Sequence, residues 1–318
     1  MNILRKVHCS ILMISAILLI STNSFCQINQ NKIQGESVME VKSIQEQLIF
    51  TTVRIEAILK NAETSTGTGF IFSYQIGEGA YHFLVTNKHV IKGSITGKLE
   101  FNIKSQEKVE LGNKFSITIN DFEQFWIGHD NPDIDIAITP FVPIVNDIKE
   151  RYNKDLFYKS IPSNYVPTKE VLETIDVIED IIFIGYPNGL YDQKNLLPIV
   201  RKGITATPAT IDFNGTSTFL IDASVFPGSS GSPVFLYNAG VFTHKGSERP
   251  FAGTRLIFLG ILASVYIRQD VNTLEVTTIP AKDIPFVKTS QMIDLGTVFK
   301  SSCIVELIES FLKKRGVL

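Results

Sequence analysis

Hydrophobic and polar positions alternate in short blocks along most of this chain. Runs rich in β-branched and aromatic residues occupy 48–59, 69–74, 82–86, 99–103, 115–119 and 134–138, separated by glycine, asparagine or charged turns. They resume at 181–184, 199–206, 219–223, 234–237 and 256–267. Regularly spaced short strands of this kind predict an all-β fold of barrels or sandwiches. The pattern breaks over 141–180, where a charged stretch at 146–160 suits a helix and Pro162 and Pro167 interrupt. That segment reads as a connector between two halves. Near the end, Ile304, Leu307, Ile308 and Phe311 share one face of a predicted helix over 301–314. This amphipathic element is expected to pack on the second half.

The first residues follow a different rule. Arg5 and Lys6 precede the apolar run 11–20, and polar Ser21 to Ser24 follow. A short basic segment, an apolar core of about ten residues and a polar exit describe a secretory signal peptide, whereas a spanning helix needs about 20 apolar residues. Ser24 and Cys26 are small enough for the cleavage positions, so residues 1–26 are expected to leave and the mature chain to begin near Gln27. Lipidation of Cys26 and retention as an anchor are the alternatives. Residues 27–47 form a polar lead-in. The expected product is secreted or periplasmic, with no stable membrane association after cleavage.

Composition narrows the functional classes. The chain has 318 residues, 44% of them hydrophobic, and a net charge of -2. That length supports one large or two small domains with their own cores. Near-neutral charge without a basic stripe gives no support for a nucleic-acid partner. Of three cysteines, Cys9 and Cys26 belong to the N-terminal segment, leaving Cys303. Neither an internal disulfide nor a thiolate zinc site is therefore expected.

The stretch FPGSSGSPVF at 226–235 carries the chemistry. Two glycines and two prolines exclude a helix and interrupt a strand. Such a turn either connects strands or holds one serine rigidly with backbone N–H groups aimed at a common point. A serine nucleophile needs a base. His8 leaves with the N-terminal segment, His129 and His244 lie in polar stretches that suit solvated side chains, and His82 sits within a strand run facing outward. His89 instead follows the apolar strand FLVT in a short polar turn, where a side chain rests on rigid structure and reaches a cleft. In DIDIAI at 133–138, alternation places Asp133 and Asp135 on one face. Either is suited to accept the histidine Nδ1–H and set its tautomer.

Four segments then resemble the chymotrypsin-like serine proteases, particularly a bacterial branch that includes the glutamyl endopeptidases. They are TGTGF (66–70), LVTNKHV (84–90), DIAI (135–138) and PGSSGSPV (227–234), in the order His, Asp, Ser. GYPNG (185–189) resembles a turn common in those bacterial members. An α/β-hydrolase would present the order Ser, Asp/Glu, His. The resemblance implies two six-stranded antiparallel β-barrels with a C-terminal helix: residues 48–140 carrying His and Asp, and 181–318 carrying Ser. It implies Ser230 as nucleophile, His89 as base, Asp135 rather than Asp133 as the orienting acid, and the N–H groups of Gly228 and Ser230 as the oxyanion hole. No metal or organic cofactor is implied, and the partner is a polypeptide substrate.

Two departures shape the remaining expectations. Ser229 stands where digestive members carry an aspartate that pairs with a newly cut N-terminus, so activation by that ion pair is not expected. The substrate pocket is expected at Ser224, Leu262 and Val265, walled by the strand 260–266. Ser224 replaces the aspartate of trypsin-like members, and Leu262 the histidine of glutamyl endopeptidases. An uncharged pocket would leave a charged P1 side chain unpaired, which predicts an uncharged P1 preference. The alternative from another class is a protease-like binding or scaffold module with little turnover.

Overall fold

The computed structural model describes residues 37–273 and 286–318. The expected signal peptide, most of the lead-in and the side chain of Tyr266 lie outside the described residues.

After β1 (Ser37–Met39) and a short helix α1 (Ile44–Leu48), the first half comprises β2 (Thr52–Leu59), β3 (Thr64–Ile76), β4 (Gly79–Thr86), β5 (Ser94–Ser105), β6 (Lys108–Asn120), β7 (Ile127–Gly128) and β8 (Ala137–Pro140). A one-turn helix α2 (Lys88–Ile91) follows β4. Leu48, expected to open a strand, closes α1 instead. The reason is local: Ser43 and Glu46 form a capping box that starts a helix there.

The strands are ordered β6-β5-β2-β3-β4-β8-β7 and share one core. Alternation does the sorting. Val53 and Ile55 of β2, Ile71 of β3, Leu84 of β4, Leu99 and Phe101 of β5 and Ala137 of β8 point into it. Their neighbours Phe70, Phe72, Phe83, Val85 and Ile138 point the other way, into a second apolar layer between the halves.

The segment 141–180 holds α3 (Val142–Tyr152), β9 (Leu156–Phe157), β10 (Ile161–Pro162) and α4 (Lys169–Glu173). Helix α3 begins four residues before the charged stretch, with Pro143 in its first turn, and stops at Asn153 in the left-handed region (φ 51°). Strand β10 runs parallel to β3 and β9 pairs with β5. The first sheet thus adds short strands, one of them parallel, to the all-antiparallel arrangement expected.

The second half contains β11 (Asp180–Gly185), β12 (Ile199–Thr205), β13 (Thr218–Asp222), β14 (Pro233–Thr243), β15 (Pro250–Thr273) and β16 (Phe286–Lys300). These six close into an antiparallel barrel in the order β11-β12-β13-β16-β15-β14. No hydrophobic run had marked β16. Helix α5 (Ser301–Lys313) buries Ile304, Leu307, Ile308 and Phe311, as its periodicity predicts. It does not rest on the second half alone. Phe311 meets Phe83 of β4 edge to face at 5.7 Å, and Glu309 accepts from the Tyr74 hydroxyl of β3. Its apolar face fills the layer between the halves.

Candidate active site

His89 is held by the turn that ends β4. Val90 and Ile91 bury their side chains in the first core, which leaves His89, between Lys88 and Val90, facing outward. Gly67 of β3 makes room for this turn, since a Cβ there would come within 2.5 Å of Val90 Cγ1. Asn87 donates from Nδ2 to the Asp135 carbonyl at 2.7 Å. The Asp135 carboxylate grips His89 twice: Oδ1 accepts the backbone N–H at 3.0 Å and Oδ2 meets Nδ1 at 2.5 Å. A carboxylate at Nδ1 selects the neutral tautomer with its proton there and the Nε2 lone pair free. The side chains are 47% and 28% exposed, so the pair sits at a rim open to solvent.

Asp135 does not lie in a strand as the alternating pattern suggests. Strand β8 begins only at Ala137, and a turn closed by Ile134 N–H to Asn131 O at 3.3 Å precedes it. The turn removes Asp133 from the face of Asp135. Its backbone N–H binds Asn131 Oδ1, and the residue is exposed.

This loop is clamped from two sides. Lys88 Nζ donates to the carbonyls of His129 (2.9 Å) and Asn131 (3.0 Å). From α5 and its C-cap, Ser310 Oγ and Lys314 Nζ donate to Asp130 at 2.7 and 2.8 Å. Burial lowers the pKa of Lys88, against the opposing pull of Asp135, Asp130 and Asp133. Burial likewise lowers that of His129, whose Nδ1 accepts from the Asn131 N–H. His129 is therefore a packed part of the acid loop rather than a solvated side chain. His82, expected to face outward, is partly buried edge-on to Tyr158, and burial lowers its pKa too. His244 packs against Phe242 and Phe251.

Ser230 lies in the connection from β13 to β14. Ser229 N–H donates to Phe226 O at 3.0 Å, and Gly228 has φ +86°. With Pro227 before it, this is a type II turn, whose third position requires a positive φ. A Cβ at Gly228 would lie 2.6 Å from Tyr186 O. Gly231 (φ +89°) is more constrained: a Cβ there would lie 1.7 Å from Thr68 O. The N–H groups of Ser229, Gly231 and Ser232 bind Phe226 O, Leu262 O and Ser229 O. Those of Gly228 and Ser230 have no acceptor among the described residues. The Ser230 hydroxyl donates to Ala263 O at 3.0 Å, with no hydrogen bond to His89. Ser229 is 1% exposed, and its hydroxyl has no partner among the described residues.

Of the expected pocket residues, Ser224 and Val265 are partly buried. Leu262 is wholly buried with Ile221 and Val225 in the second-barrel core, so its side chain is reached from solvent only through its neighbours. The structure also gives contacts to residues that the sequence showed only as members of a motif or of the pocket wall. Lys88, Thr68, Asn188 and Ala263 all touch the histidine, acid or serine segments. The glycines flanking Thr68 were the signal for a backbone pressed against a neighbour.

The family model of the trypsin-like peptidase domain matches residues 67–242. No curated protein matches the sequence. Among solved structures, the chain is similar to the Rv3671c protease from M. tuberculosis in its active form, at 14% identity and a TM-score of 0.40, covering 82% of this chain and 81% of that one. It is similar to the HtrA-type protease AlgW with tripeptide, at 15% identity and a TM-score of 0.43, covering 84% of this chain and 62% of AlgW. The tobacco vein mottling virus protease matches at 10% identity and a TM-score of 0.41, covering 84% of this chain and 83% of that protease.

Proposed function

The chain belongs to the trypsin-like peptidase family, and from that premise we propose that it is a secreted or periplasmic serine endopeptidase. Ser230 Oγ attacks the scissile carbonyl, His89 Nε2 takes its proton and returns it to the leaving amine, and Asp135 holds the imidazole tautomer and stabilises the imidazolium. The Gly228 and Ser230 N–H groups receive the charge that develops on the carbonyl oxygen. The observation that carries this reading is the double hold of one carboxylate on His89. To act, the Ser230 hydroxyl turns from Ala263 O to His89 Nε2. The likeness to glutamyl endopeptidases is proposed for the scaffold only. Ser224 and Val265, the partly buried residues of the expected pocket, supply no charge to a P1 side chain, which supports an uncharged P1 preference.

One observation favours a second reading, a binding module with little turnover: Ser230 donates to a carbonyl rather than to His89. Fluorophosphonate labelling separates the two. The full chain is expected to take up one label at Ser230, and Ser230→Ala to lose labelling and about 10⁴–10⁶-fold of peptidase rate while remaining folded. A folded wild-type protein that neither labels nor cleaves casein would establish the binding module instead.

A further inference from the structure

The glycine backbone at 228 has no intrinsic preference that fixes its flanking peptides, because glycine pays no penalty in either half of the backbone map. Its N–H serves an oxyanion only if both flanking peptides are held. Ser229, where an ion pair would hold this turn in digestive relatives, has a neutral hydroxyl with no partner among the described residues. The holding groups are elsewhere. Pro227 O accepts the Asn188 N–H at 2.6 Å. In a planar trans peptide this points the Gly228 N–H the opposite way. Gly228 O accepts from the Thr68 hydroxyl at 3.1 Å. That hydroxyl also accepts the Tyr186 N–H at 3.1 Å and lies 3.4 Å from the Ser232 hydroxyl.

A threonine hydroxyl has one proton and two lone pairs. Here Tyr186 and Ser232 occupy the lone pairs, which leaves Gly228 O as the destination of the proton. One buried oxygen thus ties Gly228 O directly, and through Tyr186 it ties the 186–189 turn that holds Pro227 O. The Thr68 backbone completes the arrangement: its N–H donates to Ser230 O at 2.8 Å, and its carbonyl accepts from Thr86 Oγ1 at 2.7 Å. Thr86 ends the strand that leads to His89.

We infer that Thr68 is the positioning residue of the oxyanion turn, its hydroxyl holding the peptides on both sides of Gly228 so that the hole stands formed without an ion pair at Ser229. The inference deepens the reading of Ser230 as nucleophile and rests on it for its kinetic consequence, but not for its structural one.

Thr68→Val removes the hydroxyl at nearly constant shape, and Thr68→Ser keeps it. At a temperature well below both melting points, T68V is expected to lose about 10–100-fold in kcat with KM changed by less than about twofold, and T68S to retain kcat within about threefold. A loss confined to packing would lower Tm without this split and would not be rescued by serine. Crystal structures of T68V and wild type supply a readout independent of turnover, with the Pro227–Gly228 peptide expected to be reoriented in the variant. Should T68V not fold, Thr68→Ala removes the same hydroxyl with less bulk. Unchanged kcat, or an unchanged peptide orientation in the hydroxyl-free variant, would overturn the role of Thr68. Absence of labelling in the wild type would instead overturn Ser230 as nucleophile, and the structures would still decide on Thr68.

Discussion

The two halves of the site are held by different means. On the His89 side, a partly exposed carboxylate binds a partly exposed imidazole, and the loop behind it is fastened by Lys88, Ser310 and Lys314. These are side-chain interactions at a rim. On the Ser230 side the contacts are mainly backbone to backbone, and two glycines sit where any Cβ would strike a carbonyl oxygen. The first arrangement tolerates exchange of atoms but depends on charge and tautomer. The second is indifferent to charge but has no spare volume. Chemistry and stability are therefore expected to separate between them.

Asp135→Asn is the sharper break on the acid side. It keeps the shape but offers an N–H to Nδ1, which favours the wrong tautomer. Peptidase activity is expected to fall about 10⁴-fold, with circular dichroism and Tm close to wild type. A variant within tenfold of wild-type kcat would show that Asp135 does not set the tautomer.

Gly231→Ala tests the serine side by the opposite signature. Its methyl would meet Thr68 O at 1.7 Å, in a backbone region that costs L residues energy in any case. The expected loss is about 3 kcal/mol or more, seen as a Tm drop on the order of 10 °C or as failure to fold. An alanine variant melting within two or three degrees of wild type would mean that the inter-barrel contact is far looser than described.

The smallest effect concerns the pocket. In a peptide library, uncharged P1 residues are expected to outrank charged ones by roughly 10–100-fold in kcat/KM, the discrimination that one unpaired group supplies in a partly wet site. A profile dominated by Glu, Arg or Lys at P1 would reject Ser224 and Val265 as its determinants and leave the contrast between the halves intact.

Much of this was legible in the residues. The β-rich pattern, five of the second barrel's six strands and the helix bearing Ile304, Leu307, Ile308 and Phe311 follow from the apolar pattern alone, because an element that buries one face repeats its apolar residues at its own period. The motifs around His89 and Ser230 were legible as turns of unusual composition, and that around Asp135 as the alternating start of a strand. Less was visible where a local turn or a distant strand overrides the apolar pattern. Alternation over 133–138 put Asp133 beside Asp135, and the Asn131–Ile134 turn separates them. Strand β16 had no apolar run to announce it, yet it closes the barrel by pairing with β13 and β15.

By itself, then, the sequence determined which residues have the right chemistry and the order in which the chain meets them, since composition and spacing act over a few residues. Tertiary structure alone decided that Lys88 and α5 brace the acid loop, that Leu262 is spent on the core, and that the Thr68 hydroxyl meets a carbonyl 160 residues away. Hydrogen bonds form wherever folding places a donor within about 3 Å of an acceptor, and a partner that remote leaves no periodicity in the chain.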